Sequence, residues 1–169
     1  GSEAENFVFK AEQASGKALQ LDSNNVLAVA FRAEIYMRQL RYSDALDFAE
    51  RAVAIDNTSF DAYRVYGFVL ESQGGRYGEA IEAYKKAAEI NPNLTFIHLS
   101  IGVNYRQLRQ YDTALEYFAL AARINEQNGV ADPIPYLAIA RTYSQIGEFF
   151  IAARNVMRAL EITPQDPYV

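Results

Sequence analysis

Apolar and polar positions alternate along this chain with the period of an α-helix. In the stretch GGRYGEAIEAYKKAAEINPN, residues 74–93, the apolar positions follow the i, i+3, i+4, i+7 spacing of an amphipathic helix, and Glu and Lys fill the opposite face. The Asn91-Pro92 step then ends the helix, because proline cannot continue the hydrogen-bond ladder and moves the preceding residue out of helical geometry. The stretch therefore predicts a turn, a helix of about a dozen residues and a stop.

Three other stretches of the chain repeat this pattern. A column of small residues runs at steps of 35, 34 and 38 residues through Ala45, Ala80, Ala114 and Ala152. An aromatic column takes the same steps, through Tyr42, Tyr77, Tyr111 and Phe149. An upstream small column takes steps of 34, 35 and 38, through Ala33, Gly67, Gly102 and Ala140. The underlying period of 34 residues predicts two helices in each repeat.

The unequal steps also locate insertions and contacts. They place a one-residue insertion at Gly74-Gly75 and a longer loop in NEQNGVAD, residues 125–132. The small columns predict where the two helices of a repeat touch, because glycine or alanine at a crossing lets two backbones approach closely. The aromatic column is then expected to fill the space between neighbouring repeats.

This pattern resembles the tetratricopeptide repeat (TPR) family, whose repeats are antiparallel helix pairs of 34 residues. The resemblance rests on the columns above and on bulky residues at two further positions of the first helix. The earlier position holds Val29, Tyr63, His98 and Tyr136, and the later one holds Tyr36, Leu70, Tyr105 and Tyr143. The resemblance implies an all-α fold, a right-handed superhelical solenoid of antiparallel helix pairs.

The repeat columns divide nearly the whole chain. Gly1-Ser2 is interpreted as an expression remnant within a tail at 1–5, and the chain as a fragment of something longer. The predicted segments are the second helix of a partial repeat at 6–25, repeats at 26–59, 60–94, 95–128 and 133–166, a loop insertion at 129–132 and a following segment at 167–169. Asn57 and Glu126 stand where the family usually has proline, so those two helix ends are expected to be softer.

The family resemblance also implies which residues line a concave groove. The groove positions lie on the first helix of each repeat at i, i+3, i+7 and i+10, which form one stripe of a helix. The predicted partner-binding groove consists of Glu34, Met37, Arg64, Phe68, Glu71, Phe96, Leu99, Val103, Arg106, Leu137 and Arg141. Exposed apolar side chains beside arginines suit a ligand with apolar and acidic groups. Two alternatives are that another helix covers these side chains, or that the register is shifted by one residue.

One subtype of the family grips the free carboxylate of a chaperone tail with lysine and asparagine at set groove positions. In successive triplets of repeats, this chain has Ala30 and Glu34, or Arg64 and Phe68, at those positions. Only Arg64 could mimic part of that clamp. The sequence therefore argues against a chaperone-tail adaptor.

Composition narrows the classes of partner. The net charge of −5 leaves no basic excess to neutralise phosphates, so nucleic acid is not expected as a partner. The chain has no cysteine, and no run approaches the roughly 18 apolar residues of a membrane span. The sequence predicts a protein or peptide partner and no membrane insertion, and it leaves the compartment open.

Candidate chemistry is sparse. The single histidine, His98, stands in a column of tyrosines and is interpreted as a packed aromatic substitute rather than a base or ligand. The stretch GGRYG lacks the Lys-Ser/Thr of a phosphate-binding loop and is interpreted as a turn. We predict no catalytic residue, no cofactor and no metal.

The leading hypothesis from the sequence is a non-catalytic scaffold that binds a peptide or helical segment of a partner in the groove. Two alternatives remain open. One is self-assembly through the exposed ends of the solenoid. The other is a regulatory or docking arm of a larger enzyme.

Overall fold

The structure is a computed structural model that describes residues 2–163, with side chains from Phe9 onward. Over this range the chain forms nine α-helices and no strand, so the predicted all-α class is confirmed for the described residues. The helices are α1 (Ser2–Leu21), α2 (Val26–Arg38), α3 (Tyr42–Ile55), α4 (Phe60–Ser72), α5 (Tyr77–Ile90), α6 (Thr95–Gln107), α7 (Tyr111–Gln127), α8 (Ile134–Ile146) and α9 (Phe149–Ile162). The predicted segment 167–169 lies outside the described residues.

The helices form two compact units. The N-terminal unit is Gly1–Asn91, in which α2 packs with α3, α4 with α5, α1 on α2 and α3 on α4. The C-terminal unit is Pro92–Val169, in which α6 packs with α7, α8 with α9 and α7 on α8. Because the connections within pairs are short, the paired helices run antiparallel. Each predicted repeat contains one such pair, whereas α1 begins at Ser2, before the predicted start of the partial repeat.

Three of the helix pairs share one turn. In each of them, the residue just before the second helix donates its backbone N–H to the carbonyl oxygen of a tyrosine five residues earlier, at 2.9 Å. The donor and acceptor pairs are Arg41 and Tyr36, Gln110 and Tyr105, and Glu148 and Tyr143. The preceding residue has φ values of 59°, 59° and 94°, at Leu40, Arg109 and Gly147. This is the hydrogen-bond pattern of a Schellman helix end. In the α4–α5 turn, Gly74 and Gly75 both have positive φ, which confirms the predicted turn.

Two glycines of the upstream small column, Gly67 and Gly102, pack against aromatic rings on the second helix of the same repeat. A Cβ added at Gly102 would lie 2.5 Å from the Phe118 ring, and one added at Gly67 would lie 2.8 Å from the Tyr84 ring. The sequence predicted two small surfaces in contact at this crossing, which is wrong for these two pairs. The reason is volume: a ring on the second helix fills the space that the glycine leaves, so the two side chains together keep the spacing of the helices.

The helix ends differ in one place from the prediction. In α3, α5 and α9 the last residue is an isoleucine of the repeat, whereas α7 continues three residues past Ile124 to Gln127. Residues 125–127 are therefore helical and not part of the predicted loop. At Asn57 the missing proline has no such effect, because Asp56 accepts a hydrogen bond from the N–H of Thr58 at 2.8 Å and turns the chain there.

We expect Gly102→Ala to lower the free energy of unfolding by about 1–3 kcal/mol, because the added methyl group overlaps the fully buried Phe118 ring. Gly78→Ala is the matched control, since a Cβ there meets nothing within 4 Å. It should be neutral or raise stability by up to about 1 kcal/mol, as expected for glycine replaced in a helix. Urea unfolding measures both variants, and equal effects would contradict the ring-over-glycine packing.

Candidate functional site

The predicted groove residues of the N-terminal unit lie on α2 and α4. Four of them line one cleft of about 420 Å³: Glu34, Met37, Arg64 and Phe68. Glu71 does not line this cleft, and its carboxylate accepts a hydrogen bond from the Tyr84 hydroxyl at 2.9 Å. The structure thus brings four of the five predicted residues together.

The side chains of this cleft differ in how accessible they are. Phe68 is 41% exposed, in keeping with a groove position. Met37 is only 7% exposed and packs in the hydrophobic core with Val29, Ala33 and Tyr36. Met37 therefore lines the cleft with little exposed area, and its contact with a ligand stays a prediction.

Arg64 is already paired within the chain. Its Nη2 lies 2.7 Å from Glu34 Oε1, and its Nε lies 3.2 Å from Asp61 Oδ1. Burial disfavours the charged form of Arg64, but the carboxylates of Glu34 and Asp61 outweigh it, so the pKa of the guanidinium is raised. Arg64 is thus neutralised within the free chain, and its contact with an acidic ligand stays a prediction.

The C-terminal unit holds a larger cavity of about 720 Å³ among α6, α8 and α9. Four predicted groove residues line it: Val103, Arg106, Leu137 and Arg141. Two other predicted residues on α6 do not line it. Of these, Phe96 is 45% exposed and Leu99 is half-buried.

The predicted groove lies on first helices only, whereas the second helix α9 also lines this cavity. Ala153 and Val156 of this second helix line the same cavity. A signal for this was present in the repeats, because Ala153 stands where the other second helices carry the larger residues Leu46, Ile81 and Leu115. A small residue at this position leaves space beside α8.

Arg106 and Arg141 are the basic groups of this cavity, and both lack an acidic partner. None of the ion pairs between described side chains includes either residue. Arg106 Nη1 is buried without a hydrogen-bond partner. Burial, and then the positive charge of Arg141, lowers the pKa of the Arg106 guanidinium. The Arg106 guanidinium also lies over the Phe118 ring, 5.7 Å from its centroid.

These contacts distinguish Arg64 of the N-terminal unit from Arg106 and Arg141 of the C-terminal unit. In the N-terminal cleft, the carboxylates of Glu34 and Asp61 neutralise Arg64. In the C-terminal cavity, two guanidinium groups stand near each other beside Val103 and Leu137. An anion bound beside these two guanidinium groups would offset their repulsion.

The remaining candidate chemistry is structural. His98 is buried, its Nε2 lies 2.7 Å from the Pro92 carbonyl oxygen, and its ring stacks on Tyr117. The prediction that His98 replaces a packed aromatic residue is confirmed. Within residues 2–163, no helix is both long enough and apolar enough to cross a membrane. No group of three or more metal-binding side chains is arranged around an ion site in this range.

Comparison with known proteins identifies the repeats. A model described as a TPR repeat matches residues 71–108, and one described as a tetratricopeptide repeat matches residues 97–128. The chain is 32% identical over 113 residues to small glutamine-rich tetratricopeptide repeat-containing protein 2 of Mycosarcoma maydis. The matched region covers 67% of this chain and 32% of that protein. The chain belongs to the tetratricopeptide repeat family.

Solved structures show the same fold. MamA matches with a TM-score of 0.75 and 25% identity, over 89% of this chain and 85% of its own. YrrB, described as a TPR protein with an unusual peptide-binding site, matches with a TM-score of 0.73 and 24% identity, over 96% of this chain and 81% of its own. The chain spans only 18–32% of the length of the curated relatives it matches. The fold and the relatives support a protein-interaction scaffold as the general class of function.

The unequal pairing of the arginines predicts unequal effects on stability. Arg64→Gln should lower the free energy of unfolding by about 1 kcal/mol, because it leaves the Glu34 carboxylate without its ion pair. Arg141→Gln should change stability by less than about 0.5 kcal/mol or raise it, because it removes a like charge beside Arg106. Urea unfolding at low salt measures the difference. An equal loss of stability in both variants would contradict the assignment of Arg141 as unpaired.

Proposed function

We propose that this chain is a non-catalytic scaffold that binds a segment of a partner protein, and that the cavity among α6, α8 and α9 holds an acidic and an apolar side chain of that segment. The observation that carries the proposal is the pair formed by Arg106 and Arg141. Two positive charges near each other with no acidic partner destabilise the free protein, so an anionic ligand binds with a gain that a neutral one lacks.

The geometry of the cavity supports a side-chain-sized ligand. Its volume of about 720 Å³ lies within the usual range for binding pockets. Val103, Leu137 and Val156 offer apolar contact, and the two guanidinium groups offer planar hydrogen-bond donors that match a carboxylate. Leu137 is 46% exposed and would lose most of that exposure on binding.

The remaining predicted groove residues are proposed to have different roles in binding. Phe68 and Phe96 are exposed and are proposed to contact apolar parts of the segment. Glu34 and Arg64 are proposed to stay paired with each other, so that they form part of the groove wall without offering a net charge to the ligand. YrrB, which shares the fold, is described as having a peptide-binding site, and this supports the same class of ligand here.

Charge reversal tests the proposal. Fluorescence anisotropy with labelled short peptides that mix Leu and Glu should show binding, and peptides with Gln in place of each Glu should bind more weakly. Arg106→Glu combined with Arg141→Glu should weaken binding of the Leu/Glu peptides at least about tenfold, which corresponds to about 1.4 kcal/mol. The loss follows from replacing two donors by carboxylates that repel the ligand.

The matched control is Lys17→Glu combined with Arg123→Glu. It makes the same change of net charge at exposed positions that line neither cavity. Binding by this control should remain close to that of the unaltered chain. An equal loss in both double variants would mean that net charge alone drives binding, and an unchanged affinity after reversal of Arg106 and Arg141 would refute the site.

A further inference from the structure

The outer face of α9 carries an apolar surface that the other second helices lack. Four side chains form what we call the α9 patch, and their exposed fractions are 69%, 77%, 61% and 67% for Phe149, Phe150, Met157 and Leu160. Their spacing of i, i+1, i+8 and i+11 places them within about 100° of arc on one side of the helix. Apolar surface of this extent on one helix indicates a contact site.

The repeats show how much of this patch a following helix would cover. In α7, which packs on α8, Ala122 stands at the position of Leu160 and is 6% exposed. Asp112 and Ala119 stand at the positions of Phe150 and Met157, and both remain exposed. A helix that packed on α9 in the same way would therefore cover Leu160 and leave the other two side chains in water.

The sequence columns support this difference. At the position of Phe150 the other second helices carry small or polar residues, namely Ser43, Gly78 and Asp112. At the position of Met157 they carry Glu50, Lys85 and Ala119. Only α9 has large apolar residues at both outward positions, so one more helix of the repeat would leave part of the patch exposed.

We infer that the α9 patch binds a second copy of this chain, α9 against α9, across a two-fold axis. The four side chains expose roughly 500 Å² per copy, and two copies would bury about 1,000 Å², which is the area that a specific interface needs before flanking residues contribute. In a two-fold dimer the same surface of each copy packs against the other, so each α9 patch covers the whole of its counterpart.

Charge argues for a second copy over a membrane surface. The residues that flank the patch are Arg154, Arg158 and Glu161, so both signs of charge border it. The chain as a whole carries a net charge of −5. An anionic lipid surface would repel it, whereas amphipathic helices that lie on membranes are rich in Lys and Arg on their polar face.

The test replaces two patch residues by those that α3 carries at the same positions, Ser43 and Glu50. Light scattering of the full chain from about 1 µM to about 1 mM should show the apparent mass rising toward that of two chains. Phe150→Ser combined with Met157→Glu should keep the mass of one chain over the whole series, with unchanged helical content by circular dichroism. Lys85→Glu, which places a carboxylate at the equivalent position of α5 in the N-terminal unit, should associate like the unaltered chain.

A second measurement identifies the face independently of that double variant. Because the chain has no cysteine, Met157→Cys introduces a single thiol, and a short bifunctional thiol reagent should link two copies. Glu50→Cys, at the equivalent exposed position of α3, should give no linked product. A chain that stays monomeric throughout the series would overturn the inference, as would unchanged association of the double variant or equal linking of both cysteine variants. Neither Phe150 nor Met157 lines the α6–α8–α9 cavity, so the double variant leaves the lining of the proposed peptide site intact.

Discussion

The packing of one ring against one glycine positions the chemistry of the C-terminal unit. Phe118 on α7 is fully buried and occupies the space that Gly102 on α6 leaves open. The same ring lies beneath the guanidinium of Arg106, which is one turn of α6 beyond Gly102. The contact that sets the spacing of the helix pair thus also supports the side chain that faces the cavity. Packing and site are coupled through a single aromatic residue.

The proposed function rests on a difference in how the arginines of the two units are paired. Both units contain arginines on the first helices of their repeats, but the N-terminal unit neutralises Arg64 with two carboxylates at 2.7 and 3.2 Å. The C-terminal unit leaves Arg106 and Arg141 without such partners, and one guanidinium nitrogen of Arg106 is buried without a hydrogen bond. Buried polar groups are normally satisfied, so this unsatisfied donor supports the acidic ligand that we propose.

Much of the fold was predictable from the sequence because the helices and turns of each repeat are encoded by residues within that repeat. Helical periodicity, the small column and the Gly74-Gly75 insertion predicted the pairs and the turn between α4 and α5. The extension of α7 was not predictable in the same way, because loss of a proline lengthened this helix but not α3, where Asp56 turns the chain.

The site was less predictable because it depends on contacts between helices. The stripe rule found Arg64, Arg106 and Arg141 alike, and only the geometry separates the paired arginine from the unpaired ones. Helix position alone also failed to show that Met37 turns into the core. The repeat column shows that Ala153 is smaller than its counterparts, but only the structure shows that the space beside it is part of the cavity.

Nuclear magnetic resonance of the arginine side chains tests the central claim most directly. The Nε–H signals of Arg64, Arg106 and Arg141 would be followed while a Leu/Glu peptide is added to the full chain. If the unpaired guanidinium groups receive the acidic ligand, the signals of Arg106 and Arg141 shift together with one binding curve, and that of Arg64 stays in place beside Glu34. Shifts of equal size at all three arginines, or a shift at Arg64 alone, would contradict this account.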